Sequence, residues 1–514
     1  MAVLQIPCSN AWRDGAPCRR GACAHTDLTV IELSAPDYQF ARFVIERGLG
    51  VIYLVAFVVA ARQFAPLLGE RGLQPAPAFL RRASFRRAPS LFHLRYTDRL
   101  LLVVAWSGAI IAAAVVLGIP QLAPLPLTML TWFILWALYQ SIVNVGQVFY
   151  GFGWETLLLE AGFLAIFLGN AEIAPPWLVI LLFRWVAFRV EFGAGLIKLR
   201  GDPCWRDLRC MEWHHETQPM PNPLSWFFHH LPRPIHRIEV VGNFVAQLVL
   251  PFGLFLPQPI ASVAAILMIL TQLYLVVSGN YAWLNWITIV VASAAITDAI
   301  VPHVLLGFVG LEGVPAAATP AWFELTVIGL TILVVVLSYF PVRNMASPAQ
   351  AMNASFDPLH LVNTYGAFGT VGRRRFEVIV EGTDGEPTAD AVWQAYEFKG
   401  KPGNPRRLPR QVAPYHLRLD WLLWFLPLSP AYGEGWFVPF LGRLLEGDRA
   451  TLRLLHHNPF PDRPPRYVRA RLVRYRFTSW RELRATGAWW ERSPAGDFVG
   501  PIRLAEGSDA GERP

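Results

Sequence analysis

The 514 residues are 54% apolar and only 16% charged, against about 25% charged in an average soluble domain. That composition excludes an ordinary soluble enzyme, a disordered chain and a disulfide-stapled secreted protein, and it requires a membrane. Of the 45 Lys and Arg, 24 fall in residues 341–514, so the net charge of +8 belongs to loops and a polar C-terminal region rather than to a nucleic-acid-binding face.

Residues 1–40 read as a tail. They contain no apolar core of a signal peptide, so the first apolar span serves as the insertion signal. Cys8, Cys18 and Cys23 form neither a CxxC pair nor a zinc ladder. Nine apolar stretches come next, at 43–61, 100–119, 125–146, 154–170, 176–199, 238–256, 259–278, 281–301 and 321–340, each near the roughly 20 residues that a 30 Å hydrocarbon core demands. Pro120, Pro124, Pro175, Pro251 and Pro257 punctuate their ends, where a missing N–H is tolerated. Several connections are so short that consecutive spans must run antiparallel. No internal repeat is present, which argues against a repeat-built transporter.

The connection 62–99 carries eight arginines interleaved with Phe79, Phe85, Leu91 and Phe92. It reads as a basic amphipathic helix lying at the headgroups, and the positive-inside rule puts it in the cytoplasm. After residue 341, alternating stretches at 373–381, 450–456 and 466–477 predict strands. Between them, YHLRLDWLLWFLPL (415–428) is too short to span and is expected to pack on the membrane part or lie in the interface. The expected fold is thus a polytopic α-helical membrane protein of about nine spans with a C-terminal β-rich extramembrane domain. Its parts are a tail (1–40), a transmembrane domain (41–341) and a polar domain (342–514).

The segment PWLVILLFRWVAFRVEFGAGLIKL (176–199) carries charges that are costly at membrane depth, about 2.5–3.5 kcal/mol each on insertion scales. Arg184, Glu191 and Lys198 are seven residues apart, hence on one helical stripe, with Gly193 and Gly195 beside them. Glu155 and Glu160 add two carboxylates on the preceding span. Two readings stand: these charges neutralise one another and fix helix register, or they line a polar cavity for a lipid-like substrate with Lys198 as base. Lys198 also lies near enough to the helix end to snorkel toward the headgroups.

The next connection (200–237) packs Cys204, Cys210 and five histidines among Trp and Pro, and is expected to lid the bundle. Its two cysteines can close a short disulfide on an oxidising side of the membrane. His214, His215, His229 and His230 lie close to Glu212 and Glu216. No HExxH or similar pattern is present, and adjacent loop histidines seldom both bind a metal, so none is expected. SGNYAWLNW (278–286), with Asn280 and Asn285, is a second polar break that the lid would cap.

The stretches YGFGWETLLLEAGFLAIFL (150–168), FRVEFGAGLIKLRGDPCWRDLRCMEWHHETQPMPNPLSWFFHHLP (188–232), SGNYAWLNW (278–286), NTYGAFGTVGRRRFEVIVEGT (363–383) and HLRLDWLLWF (416–425) resemble the lipase maturation factor family over roughly residues 40–505. Animal members are endoplasmic-reticulum membrane proteins that help dimeric secreted lipases reach an active fold. The resemblance implies protein maturation, with membrane lipids and a secreted lipase-like client as partners; the one cofactor-like molecule left open is a quinone or lipid. An Arg- and Ala-rich composition without a eukaryotic retention signal suggests a bacterial inner-membrane member. AGLIKL (194–199) is also similar, over these few residues, to the lysine-bearing segment of vitamin K-dependent carboxylases. That likeness implies an enzyme acting on a quinone, with Lys198 deprotonating it. Both likenesses imply that the lid and the C-terminal domain face the lumen or periplasm, opposite to what the arginine loop indicates. A Cys204–Cys210 bond would decide between them.

Overall fold

The computed structural model describes residues 33–311 and 317–505; Cys8, Cys18, Cys23 and nearly all of the 1–40 tail lie outside the described residues. In chain order, the membrane part comprises α1 (Pro36–Leu68), α2 (Asp98–Leu117), α3 (Leu125–Asn144), α4 (Gly153–Ala165), α5 (Trp177–Arg200), α6 (Met211–Thr217), α7 (Arg233–Phe244), α8 (Ile260–Ser278), α9 (Leu284–Ala292) and α10 (Ala321–Ala346). Among the described residues, α1, α2, α3, α8 and α10 are the five helices both long enough and apolar enough to cross a bilayer. The other four expected stretches differ for identifiable reasons. Helix α4 has 13 residues, about 20 Å at 1.5 Å per residue, and the chain soon turns at Gly169 with φ +86°. Helix α5 has the length, 24 residues, but its charges lower its hydropathy. The 238–256 stretch belongs to a longer rod that begins with α7 and passes through a π-helical turn at Val245–Val249. Within 281–301, α9 covers only nine residues.

Helix α1 is the axis of the bundle. Ile45, Leu49, Tyr53, Phe57, Ala60 and Phe64 are wholly buried along it. Against it α2 turns a column of Ala105, Gly108, Ala109 and Ala112. A Cβ on Gly108 would sit 2.4 Å from the Phe57 ring, so only glycine permits this approach. The outer face of α2 carries exposed Val103, Trp106 and Ile110, as a lipid-facing surface should.

The stretch 62–99 is not one amphipathic helix. Helix α1 runs on through Arg62 to Leu68, and the chain then makes a five-residue turn of helix (Ala76–Leu80) and a 3-10 turn (Leu91–His93) joined by irregular backbone. Gly69, Gly72, Pro75, Pro77 and Pro89 break the helix that the arginines alone suggested.

The C-terminal part folds around a four-stranded antiparallel sheet of β1 (Arg375–Thr383), β2 (Gln394–Ala395), β3 (Tyr467–Phe477) and β4 (Trp490–Ile502), in the order β2-β1-β3-β4. The predicted strand at 450–456 is instead a turn of helix, Arg449–Leu452, because the Asp448 side chain accepts from Thr451 N and caps it. Strand β4 escapes the alternation rule: it lies at the sheet edge and contains Pro494 and Pro501, which only an edge tolerates. Residues 415–428 form α11 (Arg418–Phe425), with Leu419, Trp421, Leu422 and Leu423 buried. It packs into the core, with Trp424 and Phe425 half-buried at its end.

Candidate functional site

Glu155 and Glu160, five residues apart on α4, each receive the C-terminal domain. Glu155 lies 2.8 Å from Arg418 Nη1 and 3.7 Å from His416 Nδ1, all three groups fully enclosed, and the Tyr139 hydroxyl donates to the same carboxylate. Arg418 also donates to the Phe149 carbonyl at 2.7 Å and stacks 3.4 Å over the Tyr150 ring. Burial pushes His416 down to about 4, so Arg418 alone supplies the counter-charge near neutral pH. Glu160 pairs with Arg189 of α5. It also accepts from the Tyr365 hydroxyl at 2.6 Å and from Asn363 N and Nδ2 at 3.1 and 3.0 Å. The chain crosses α5 here so closely that a Cβ on Gly193 would lie 2.5 Å from the Tyr365 carbonyl oxygen.

The stripe on α5 is buried but not joined. Seven residues of helix advance about 10 Å, too far for direct contact, although Gln247 lies between Glu191 and Lys198 and touches both. Arg184 donates to the carbonyls of Leu254 and Ala294 at 3.1 and 3.2 Å and lies over the Trp177 ring. Glu191 accepts from Gln272 Nε2 at 2.6 Å, and Gln272 Oε1 accepts in turn from Asn285 Nδ2 at 2.7 Å. Lys198 Nζ donates to Asn243 Oδ1 at 2.8 Å and Gln247 Oε1 at 2.9 Å, the latter presented by the π-helical turn. Two pockets, one among Leu33, Pro176 and Phe323 and the other among Pro221, Gly400 and Trp490, both lie away from Lys198.

The 200–237 connection is clamped between the two domains. Cys204 and Cys210 are bonded, with Cα atoms 4.9 Å apart. Arg375 of β1 donates to the Glu216 and Pro219 carbonyls at 2.9 and 3.2 Å. From α11, Trp424 Nε1 donates to Thr217 O at 3.0 Å, and Trp226 Nε1 donates to Thr478 O at 2.8 Å. His214 Nε2 lies 2.9 Å from the Tyr281 hydroxyl, whose own proton goes to Gln218; burial pushes this imidazole down to about 3 and keeps it neutral. The adjacent His215 points elsewhere, to Glu239 Oε1 at 3.1 Å. His229 lies 3.7 Å from Glu216, and His230 Nδ1 is 2.7 Å from Trp226 O. Glu212 stays nearer the surface beside Arg209. Asn280 is a cross-link: it donates to Arg410 O at 2.8 Å and accepts from Val412 N and Ala413 N at 2.7 and 2.9 Å.

The structure therefore brings Glu155, Glu160 and Asn280 into one interdomain seam, while Glu191 is linked through Gln272 to Asn285 and through Gln247 to Lys198, and Arg184 stands apart. Sequence reasoning missed the partners Arg189, Asn363, Tyr365, His416 and Arg418. The available signal was the same one that exposed α5, a charge inside an apolar run, as with Arg418 among Leu and Trp.

The family model for the lipase maturation factor transmembrane domain matches residues 40–303, and that for the lipase maturation factor C-terminal domain matches residues 361–500. Lipase maturation factor 1 of Bos taurus is 41% identical over 91% of this chain and 90% of its own. The Homo sapiens protein of that name is 40% identical over 92% and 90%. Lipase maturation factor 2 of Homo sapiens is 28% identical over 90% and 82%. No solved structure matches. With both of its domains matched and a buried ionic seam joining them, this integral membrane protein belongs to the lipase maturation factor family.

Proposed function

We propose that the chain is a membrane-anchored, chaperone-like maturation factor whose client is a secreted lipase. The observation that carries this reading is the 41% identity extending through both domains. The enclosed Glu155–Arg418 pair supports the two domains acting as one body. Arg184, Glu191 and Lys198 are assigned to helix positioning rather than to catalysis: each is buried and hydrogen-bonded to groups on the helices packed against α5. The disulfide in the lid supports orienting the lid and the C-terminal domain toward an oxidising compartment. The Arg- and Ala-rich composition supports a bacterial inner membrane, with the periplasm on that side. Helix α5, buried among its neighbours despite its charges, is a further crossing toward the nine read from sequence.

The test is complementation. The full chain, expressed in cells that lack their own lipase maturation factor, should raise secreted, active lipase while leaving total lipase synthesis constant. Equal secreted activity with and without the chain, at verified expression in the membrane, would overturn the reading.

A further inference from the structure

Of the adjacent lid histidines His214 and His215, it is His215 that meets both a second imidazole and a carboxylate, and these sit on a different helix. His236 and Glu239 are three residues apart on α7, hence on one face, and His215 reaches them from α6. One donor atom from each of the three lies within 4.8 Å of the others. The side chains are 0%, 3% and 7% exposed. Glu239 Oε1 is 3.1 Å from His215 Nε2, and Oε2 is 2.6 Å from His236 Nδ1. From α8, the Tyr274 hydroxyl reaches the same carboxylate.

Two imidazoles and a carboxylate form a donor set that zinc accepts readily, with a fourth position left for another oxygen. Zinc bonds of about 2.0–2.1 Å at the tetrahedral angle hold neighbouring donors about 3.3 Å apart. The carboxylate–imidazole spacings already fall within a few tenths of an ångström to about 0.7 Å of that separation, so small side-chain rotations seat the ion. We propose that His215, His236 and Glu239 bind a zinc-type divalent cation, with the Tyr274 hydroxyl or a water completing a tetrahedron. Enclosure on every side makes the site structural: the ion staples α6 of the lid to α7 and α8. Among the described residues, the other cluster of ligand-type groups, Asp202 with Cys204 and Cys210, offers no thiolate while its sulfurs are bonded to each other.

The experiment uses the full-length protein in detergent, equilibrated with zinc alone and then freed of loose metal by gel filtration. Elemental analysis should return close to one zinc per chain. Cobalt, loaded after chelator stripping, should give the visible bands of a tetrahedral site without thiolate charge transfer. Glu239→Gln and His236→Ala should each weaken binding by about tenfold or more, whereas His230→Ala, outside the cluster, should not. Wild-type protein retaining under about a tenth of an equivalent overturns the proposal and leaves a carboxylate hydrogen-bonded by two imidazoles and a phenol. Octahedral or thiolate-type cobalt spectra, or full zinc in Glu239→Gln, overturn it equally. Because the wild-type measurement alone can refute the site, poor folding of a variant does not shelter it.

Discussion

Arg418 of the C-terminal helix and Glu155 of the membrane domain meet at 2.8 Å, both sealed from solvent. They are 263 residues apart in the chain. Removing one partner of such a pair leaves a buried charge without compensation, at about 3–5 kcal/mol. Arg418→Met and Glu155→Gln should each lower the unfolding midpoint of the solubilised protein and open the C-terminal domain to protease. The double variant should lose clearly less than the sum of the two, since no orphaned charge remains. Additive losses would show that the two groups do not interact.

Lys198 tests the positioning role. Lys198→Met leaves the Asn243 and Gln247 oxygens without their donor, at about 1–3 kcal/mol. Membrane abundance should fall, and secreted lipase should fall with it in proportion. Activity lost at undiminished abundance would instead mean that the ammonium takes part in chemistry.

Asp420 carries a pH dependence. Burial lifts its carboxyl to about 6, against the nearby charges of Lys401 and Lys399 and the Gly400 N–H, which favour the ionised form. The folded chain thus keeps a proton that the unfolded chain releases near 3.8. That contribution is complete at low pH, fades as pH rises from about 4 to 6, and is absent above. Asp420→Asn keeps the acceptor for Gly400 N, which now donates at 2.6 Å, and removes the ionisation penalty. At pH 7.5 it should stabilise by up to about 3 kcal/mol, with little effect at pH 4. Thermal melts at both values check this, and an equal gain at each would refute it.

The Cys204–Cys210 bond closes a short loop, so its loss should cost about 2 kcal/mol. Alkylation of the purified protein and then peptide mass analysis should find both lid cysteines unmodified before reduction and both modified after it. Ready alkylation without reductant would remove the support for an oxidising side.

The sequence announced the helices because long apolar runs have no home outside a bilayer, and it flagged Glu155, Glu160 and α5 because charges stand out within such runs. It did not announce their partners. Arg418 and Asn363 lie two hundred residues or more beyond the acids they bind, and periodicity carries no information at that range. The even spacing of Arg184, Glu191 and Lys198 reported a shared face correctly but not contact, since about 10 Å separates one group from the next and the rod bearing Gln247 and Leu254 and the helix bearing Gln272 supply their partners. The arginines of 62–99 advertised charge, while the prolines among them set the geometry. For the histidines, sequence adjacency misled: His214 and His215 turn to different neighbours, and the residues that join His215 sit on the next long helix of the chain.

The order of synthesis gives the Glu155 carboxylate an unusual history. It is made with α4, but its guanidinium partner leaves the ribosome only after more than half of the chain has been made in between. During that interval the nascent membrane bundle is electrostatically unfinished. A chain stopped by a premature termination codon anywhere before Arg418 would keep that carboxylate without its guanidinium permanently.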